Sequence, residues 1–198
     1  MKALFVDIDT QIDFIMPDGK LYVKDAEKLI PNFKRLMEIA KANKIPILSS
    51  VDAHDEDDPE FANFPPHCIK GRRGWEKIAE TINPDNTHVE NRPIKINGAS
   101  GASQIVVEKT EFSMFANPNI EELLKKIAPR KAFVYGVATD YCVKAAAIGL
   151  AQRGYETYVV EDAIAGVSKE ASGKAMVEMK AAGVKFIKID EIEKLIKN

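Results

Sequence analysis

The sequence predicts an α/β protein, a parallel sheet with helices on both faces, and three observations carry that reading. Short apolar runs alternate with longer stretches at helical spacing along almost the whole chain, which is the signature of a parallel sheet covered on both sides. The 198 residues, 45% of them hydrophobic, suffice for one substantial core without disulfide or metal staples. Residues capable of chemistry fall just beyond four of the apolar runs, where open α/β sheets hold their ligands.

Ala3–Ile8 is the first strand, a tight apolar run that stops at Asp9-Thr10. Residues 25–43 place Ala26, Leu29, Ile30, Phe33, Leu36, Met37 and Ala40 at helical spacing. Ile45–Val51 is the second strand. Residues 52–74, dense in Asp, Pro, Gly and His, form a long loop, and loops of that length inside compact domains usually serve function. The Gly/Ser/Asn-rich segment Asn97–Ser103 reads as a turn or surface excursion before a third strand at Ile105–Val107. A short helix over 118–128 has Pro118 near its first turn. Ala132–Val137 is the fourth strand and runs into Ala138-Thr139-Asp140, a natural N-cap region for a helix over 140–153. The small residues Ala145-Ala146-Ala147 let that helix approach the sheet closely. Thr157–Val160, a helix over 168–182, Val184–Ile189 and a short terminal helix complete six strands in a single domain over residues 1–198. No internal repeat interrupts the pattern.

Composition excludes several classes. Lys plus Arg number 28 against 30 Asp plus Glu, a net charge of −2 that gives no reason to expect nucleic acid as a partner. No apolar run reaches the roughly 18 residues of a membrane span, and Asp7 follows the N-terminus too soon for a secretory signal. Cys68 and Cys142 fit free thiols in a reducing cytosol better than a disulfide framework. A cytoplasmic protein follows, with a homo-oligomer left open.

Strand one delivers Asp9, strand two Asp52 and His54, strand three Lys109, and strand four Ala138 and Cys142. In the first turn of a helix, Cys142 would have its thiolate stabilised by free amides and the helix dipole; the plain alternative is a buried structural cysteine. Asp9 is a candidate base, or a turn carboxylate, and Lys109 a candidate cation, or a solvated surface charge. Asp52-Ala53-His54 followed by His67 looks like a metal site, because two imidazoles and a carboxylate suit zinc, iron or manganese. Glu60 is a candidate fourth ligand. The run Asp55-Glu56-Asp57-Asp58 reads as solvated acid, His88 as an ordinary surface residue, and Cys68 as pointing away from the ligand set.

These residues resemble the nicotinamidases (pyrazinamidases) among the isochorismatase-like cysteine hydrolases, over nearly the full chain. Asp9-Thr10-Gln11-Ile12-Asp13-Phe14 resembles the family's opening Asp-x-Gln-x-Asp-Phe. Phe64-Pro65-Pro66-His67-Cys68 with Gly71 resembles its Trp-Pro-x-His-Cys-x-x-Gly, and Lys109 followed by Ser113-Met114-Phe115 looks like its lysine ahead of Ser-x-Phe. Gly136-Val137-Ala138-Thr139-Asp140-Tyr141-Cys142-Val143 is the most specific match, and Asp162-Ala163 matches a late dipeptide.

The resemblance implies a three-layer α/β/α fold whose six strands run in the order 3-2-1-4-5-6. It implies a catalytic triad of Asp9, Lys109 and Cys142, and a divalent metal, zinc first with iron or manganese as alternatives, on Asp52, His54, His67 and Glu60. It also implies a cis bond between Val137 and Ala138 and an oxyanion hole from the amides of Ala138 and Cys142. Phe14, Phe64 and Tyr141 become the walls of the substrate site. The implied reaction is hydrolysis of nicotinamide, and of pyrazinamide, to the acid and ammonia, a step of NAD salvage on a small-molecule amide. Phe64 stands where the family usually has Trp, whether Trp75 takes its place is open, and Asn83–Ser103 is longer than the family leads one to expect. A related amidohydrolase of another small amide is the second reading, and a non-catalytic metal or redox protein a third.

Overall fold

The computed structural model describes residues 2–95 and 102–197. At its centre lie β1 (Ala3–Ile8) and β5 (Lys131–Val137), parallel neighbours in which every residue is buried. Burial on both faces is why they read as near-continuous apolar runs rather than alternating ones. Outward from β1 come β2 (Ile47–Asp52), β4 (Gln104–Lys109) and β3 (Asn86–Val89); outward from β5 come β6 (Glu156–Ala165) and β7 (Lys185–Ile187). All the pairings are parallel.

Among the described residues the sheet therefore has seven strands, in the order β3-β4-β2-β1-β5-β6-β7, and not six. Without β3 the order is the expected 3-2-1-4-5-6. The extra strand lies in the long stretch after Asn83 and escapes a sequence reading for a physical reason. Asn86-Thr87-His88-Val89 is an edge strand with one neighbour, and only Val89 is buried, so it has no apolar run to announce it. The excursion expected at Asn97–Ser103 lies largely outside the described residues.

Alternation along the central strand sorts the core. Leu4, Val6 and Ile8 face one layer, with α3 (Ile120–Ile127), α4 (Lys144–Gln152) and α5 (Lys169–Ala181), while Ala3 and Phe5 face the other, with α1 (Ile12–Ile15), α2 (Ile30–Ala42) and α6 (Ile189–Lys197). Several boundaries differ from expectation. A 3-10 turn, Ala26–Leu29, precedes α2, β6 runs on to Ala165, and Ile189 opens α6 instead of ending a strand. The one-turn α1 is too short to show periodicity, yet it carries Asp13 and Phe14.

Strand order reverses between β1 and β5, so the crevice beyond their carboxyl ends is the place for a site. Gly136 allows the two strands to close there. Its φ is +118°, and a Cβ at this position would lie 2.0 Å from the Ile8 carbonyl oxygen.

Candidate active site

Each strand end contributes one group. Asp9 leaves β1 with φ +49°, a left-handed conformation that aspartate tolerates better than most residues, and Ser50 Oγ donates to its Oδ1 at 2.6 Å. Lys109 ends β4 in register with Asp52 at the end of β2. After β5 the Val137–Ala138 bond is cis, and Thr139–Val143 forms one π-helical turn before α4 begins. Cys142 thus sits in a wide turn, closed by Val143 N–H donating to the Ala138 carbonyl at 3.1 Å, and not in the first turn of an ordinary α-helix. Such turns concentrate at functional sites because they displace side chains from regular helical positions.

The three residues converge on one ammonium. Lys109 Nζ lies 2.9 Å from Asp9 Oδ2 and 3.5 Å from Cys142 Sγ, and it is bonded to Asp52 Oδ1. All four side chains are buried. Burial disfavours the Lys109 ammonium, but Asp52, Asp9 and Cys142 outweigh it and hold the pKa well above the ordinary lysine value. Burial raises Asp52 to about 6, with Lys109 pulling down and Asp9 pushing up. Burial likewise pushes the Cys142 thiol well up; Lys109 opposes, and Asp9 and Asp52 add to the rise. The expected thiolate at a helix start is therefore disfavoured here, because burial and the two neighbouring carboxylates push the sulfur toward its protonated form.

Beside this trio, Asp52, His54 and His67 bring one donor atom each within 4.8 Å of one another. Both imidazoles are oriented from behind. His54 Nδ1 faces Asp58 Oδ2 at 2.9 Å, and an ionised carboxylate only accepts, so Nδ1 carries the proton and Nε2 offers a lone pair. His67 Nδ1 donates to the Pro65 carbonyl at 2.8 Å, with the same result. Burial lowers the His67 pKa, which favours the neutral, ligating form. Among the described residues, His54 Nε2 is buried with no hydrogen-bond partner, and its nearest acid is Glu60, with Oε2 4.0 Å away. A buried nitrogen lone pair costs free energy unless something binds it. The donor set suits a divalent metal, with Asp52, His54 and His67 as holders and Glu60 at the rim.

Asp58 is a correction to the solvated acidic run. Asp55 and Glu56 pair with the exposed Lys70 and Arg72, but Asp58 turns inward to His54 and also accepts from Glu60 N–H at 2.9 Å. Its spacing of four residues from His54 was the available signal, hidden among neighbouring acids. Cys68 Sγ lies 3.9 Å from the Gly74 carbonyl oxygen and outside the donor cluster.

A cavity of about 120 Å³ opens onto Cys142, Asp9 and Asp52, and Phe14, Phe64 and Tyr141 all line it. Phe112 and Val167, which the sequence did not single out, line it as well. Phe112 stands 5.1 Å from the Tyr141 ring and 6.3 Å from Phe64, so the aromatic wall continues across the mouth. Trp75 takes no part. It packs 5.7 Å from the His88 ring in a separate cleft of about 300 Å³ at the sheet edge. His88, an exposed residue, is held there by Glu108 at 2.8 Å.

The isochorismatase domain family matches residues 3–191. The chain belongs to the isochorismatase family. Among its relatives, the nicotinamidase of Saccharomyces cerevisiae is 27% identical, over 94% of this chain and 99% of the yeast protein. The crystal structure of the pyrazinamidase of Pyrococcus horikoshii in complex with zinc shares 25% identity at a TM-score of 0.80, covering 96% of this chain and all of that one (100%). N-carbamoylsarcosine amidase from Thermoplasma acidophilum shares 27% identity at a TM-score of 0.77, covering 98% of this chain and 99% of that one. For an isochorismatase-family hydrolase, the crevice at the β1/β5 reversal is the place where sequence, fold and buried charge coincide. Among the described residues no helix is long and apolar enough to cross a membrane.

Proposed function

We propose that this chain is a nicotinamidase-type amidohydrolase that converts nicotinamide to nicotinic acid and ammonia through a thioester on Cys142, with pyrazinamide as a further substrate. One observation carries the reading: Lys109 Nζ sits 2.9 Å from Asp9 and 3.5 Å from Cys142, and Asp9 and Cys142 line an aromatic-walled cavity. That is a nucleophile, a base and a cation within reach of one small flat ligand.

Asp9 takes the thiol proton, which a sulfur with a raised pKa does not release unaided, and Lys109 balances the charge as it moves from oxygen to sulfur. The thiolate attacks the carboxamide carbon. The backbone N–H groups of Ala138 and Cys142 receive the oxyanion, an interaction worth about 2.7–4 kcal/mol per donor. Protonated Asp9 then returns its proton to the departing amine as the C–N bond breaks, releasing ammonia. Water loses a proton to the same carboxylate, attacks the thioester and frees nicotinic acid and the thiol.

Asp52, His54 and His67, with Glu60 at the rim, are the residues that would hold a metal. The chemistry it supplies when bound is Lewis-acid capture of the substrate's ring nitrogen, which orients the amide toward Cys142. Zinc is proposed first, from the two imidazoles and one carboxylate and from the zinc named with the Pyrococcus horikoshii relative; iron and manganese are the alternatives. Two free, buried thiols suit a cytosolic setting.

A coupled ammonia assay with nicotinamide, with and without a chelator, tests this reading. The full chain should release ammonia and Cys142→Ala should lose it by roughly 10⁴-fold or more, the scale on which removal of a nucleophile acts. Persistent ammonia release by Cys142→Ala would sink the scheme. Phe64, in place of the Trp that the family resemblance leads one to expect, and the likeness to N-carbamoylsarcosine amidase favour one second reading, an amidase of another small amide. Running nicotinamide, pyrazinamide and a carbamoyl amine side by side separates the two.

A further inference from the structure

The mechanism leaves Gln11 without a role, although the residue is fully buried and stands between Asp9 and Phe14. Its side chain makes three hydrogen bonds. Nε2 donates to the carbonyls of Asp52 and Trp75, each at 2.8 Å, and Oε1 accepts from Asp52 N–H at 2.8 Å. One carboxamide therefore satisfies both main-chain groups of Asp52 and reaches across to Trp75.

The reason lies in the end of β1. Asp9 N–H still bonds the Ser50 carbonyl at 3.2 Å. Along a strand, hydrogen-bonding direction alternates, so Asp52, two residues after Ser50, presents its N–H and C=O toward the same neighbour. But the chain has turned away at Asp9 (φ +49°), and the backbone of Thr10 and Ile12 is bonded instead to Ile78 and Glu76. The Gln11 carboxamide stands in for the missing peptide unit.

Its two anchor points are also the two ends of one loop. Asp52 begins it and Trp75 closes it, and His54, Asp58, Glu60 and His67 all lie between. We propose that Gln11 is a positioning residue that closes the metal-holding loop at its base, fixing Asp52 relative to the two imidazoles. The inference rests on the metal-holding part of the proposed function and is independent of which amide is cleaved. Asp52 is the residue most sensitive to such support, because Oδ1 bonds Lys109 while Oδ2 lies 4.0 Å from His67 Nε2. A small rotation of the strand end would disturb both.

Zinc affinity of the full chain, measured by competition with a chromophoric chelator, tests the inference without any turnover. Gln11→Met keeps the length of the side chain and removes all three bonds. It should weaken zinc binding by roughly 10- to 100-fold, the range seen when groups that orient metal ligands are removed. Val159→Ala, a buried β6 change in the opposite layer of the core, serves as the control and should lower thermal stability while leaving zinc affinity unchanged. Unchanged zinc affinity in folded Gln11→Met overturns the inference, and so does an equal loss in Val159→Ala. If Gln11→Met does not fold, Gln11→Glu, which retains the shape but not the amide donors, carries the test with the same thresholds. A wild-type chain that binds no zinc overturns the metal reading together with this inference. A chain that binds zinc but releases no ammonia from nicotinamide refutes only the substrate reading.

Discussion

Around Lys109 every charge has a partner inside the protein, whereas around His54 one buried nitrogen has none among the described residues. The ammonium is shared by Asp9, Asp52 and Cys142, so that region is electrically complete in the chain alone. The imidazoles a few ångströms away are held by Asp58 and Pro65 with their Nε2 atoms directed into a shared space, an arrangement whose donor set suits a cation. Asp52 belongs to both regions. Buried polar groups can thus be organised in two ways in one crevice: by mutual compensation, which makes the groups depend on one another for stability, and by orientation of lone pairs toward a common point, which makes them a set of donors.

The comparison breaks most severely if the shared cation is removed. Lys109→Met should leave two buried carboxylates, Asp9 and Asp52, facing each other with nothing between them. Losing one partner of a buried ion pair costs about 3–5 kcal/mol, so urea unfolding of the metal-free protein should show a loss of that size alongside loss of amide hydrolysis. A variant as stable as wild type would mean that the trio is not a compensated unit.

A sharper division comes from Asp9→Asn, where two readouts should move in opposite directions. Burial is the main reason the Cys142 thiol titrates high, and the Asp9 charge adds to it. Removing that charge therefore lowers the thiol pKa and raises the thiolate fraction at any given pH. Alkylation of Cys142 by iodoacetamide, followed by mass spectrometry to separate it from Cys68, should shift to lower pH. Ammonia release from nicotinamide should fall by about 10²- to 10⁴-fold, the contribution of a positioned base. If both rates fell together, Asp9 would be acting as a structural support and not as a base.

The same contrast marks how far the sequence could be read. Strands such as Ala3–Ile8 were visible because a doubly covered strand is apolar throughout, and Asp9, Lys109 and Cys142 were visible because each follows such a run. What sequence conveys poorly is environment. The start of a helix suggested a thiolate at Cys142, but the dominant influence is desolvation among carboxylates that arrive from β1 and β2, and the turn itself is π-helical. β3 was invisible because an edge strand needs no apolar run. Which aromatics meet at the cavity depends on loop paths, so the sequence pattern does not single out Phe112, which lines it, or exclude Trp75, which lies in another cleft.

The smallest expected effect tests the metal side alone. Asp58 Oδ2 faces His54 Nδ1 at 2.9 Å, and its Oδ1 accepts from Glu60 N–H at 2.9 Å, so the residue both sets the imidazole tautomer and caps the Pro59–Ala62 turn that carries Glu60. Asp58→Asn separates these duties. The amide oxygen can still cap the turn, but the amide nitrogen now donates to Nδ1 and moves the imidazole proton to Nε2, where it blocks metal coordination. Zinc affinity should fall by roughly 10- to 100-fold, with thermal stability of the metal-free protein close to wild type and the pH profile of Cys142 alkylation unmoved. Asp58→Ala, which also removes the cap, should in addition destabilise the protein by about 1 kcal/mol. An alkylation profile that shifted with Asp58→Asn would show that the tautomer of His54 is felt at the nucleophile, and that the two regions are coupled more tightly than their shared Asp52 implies.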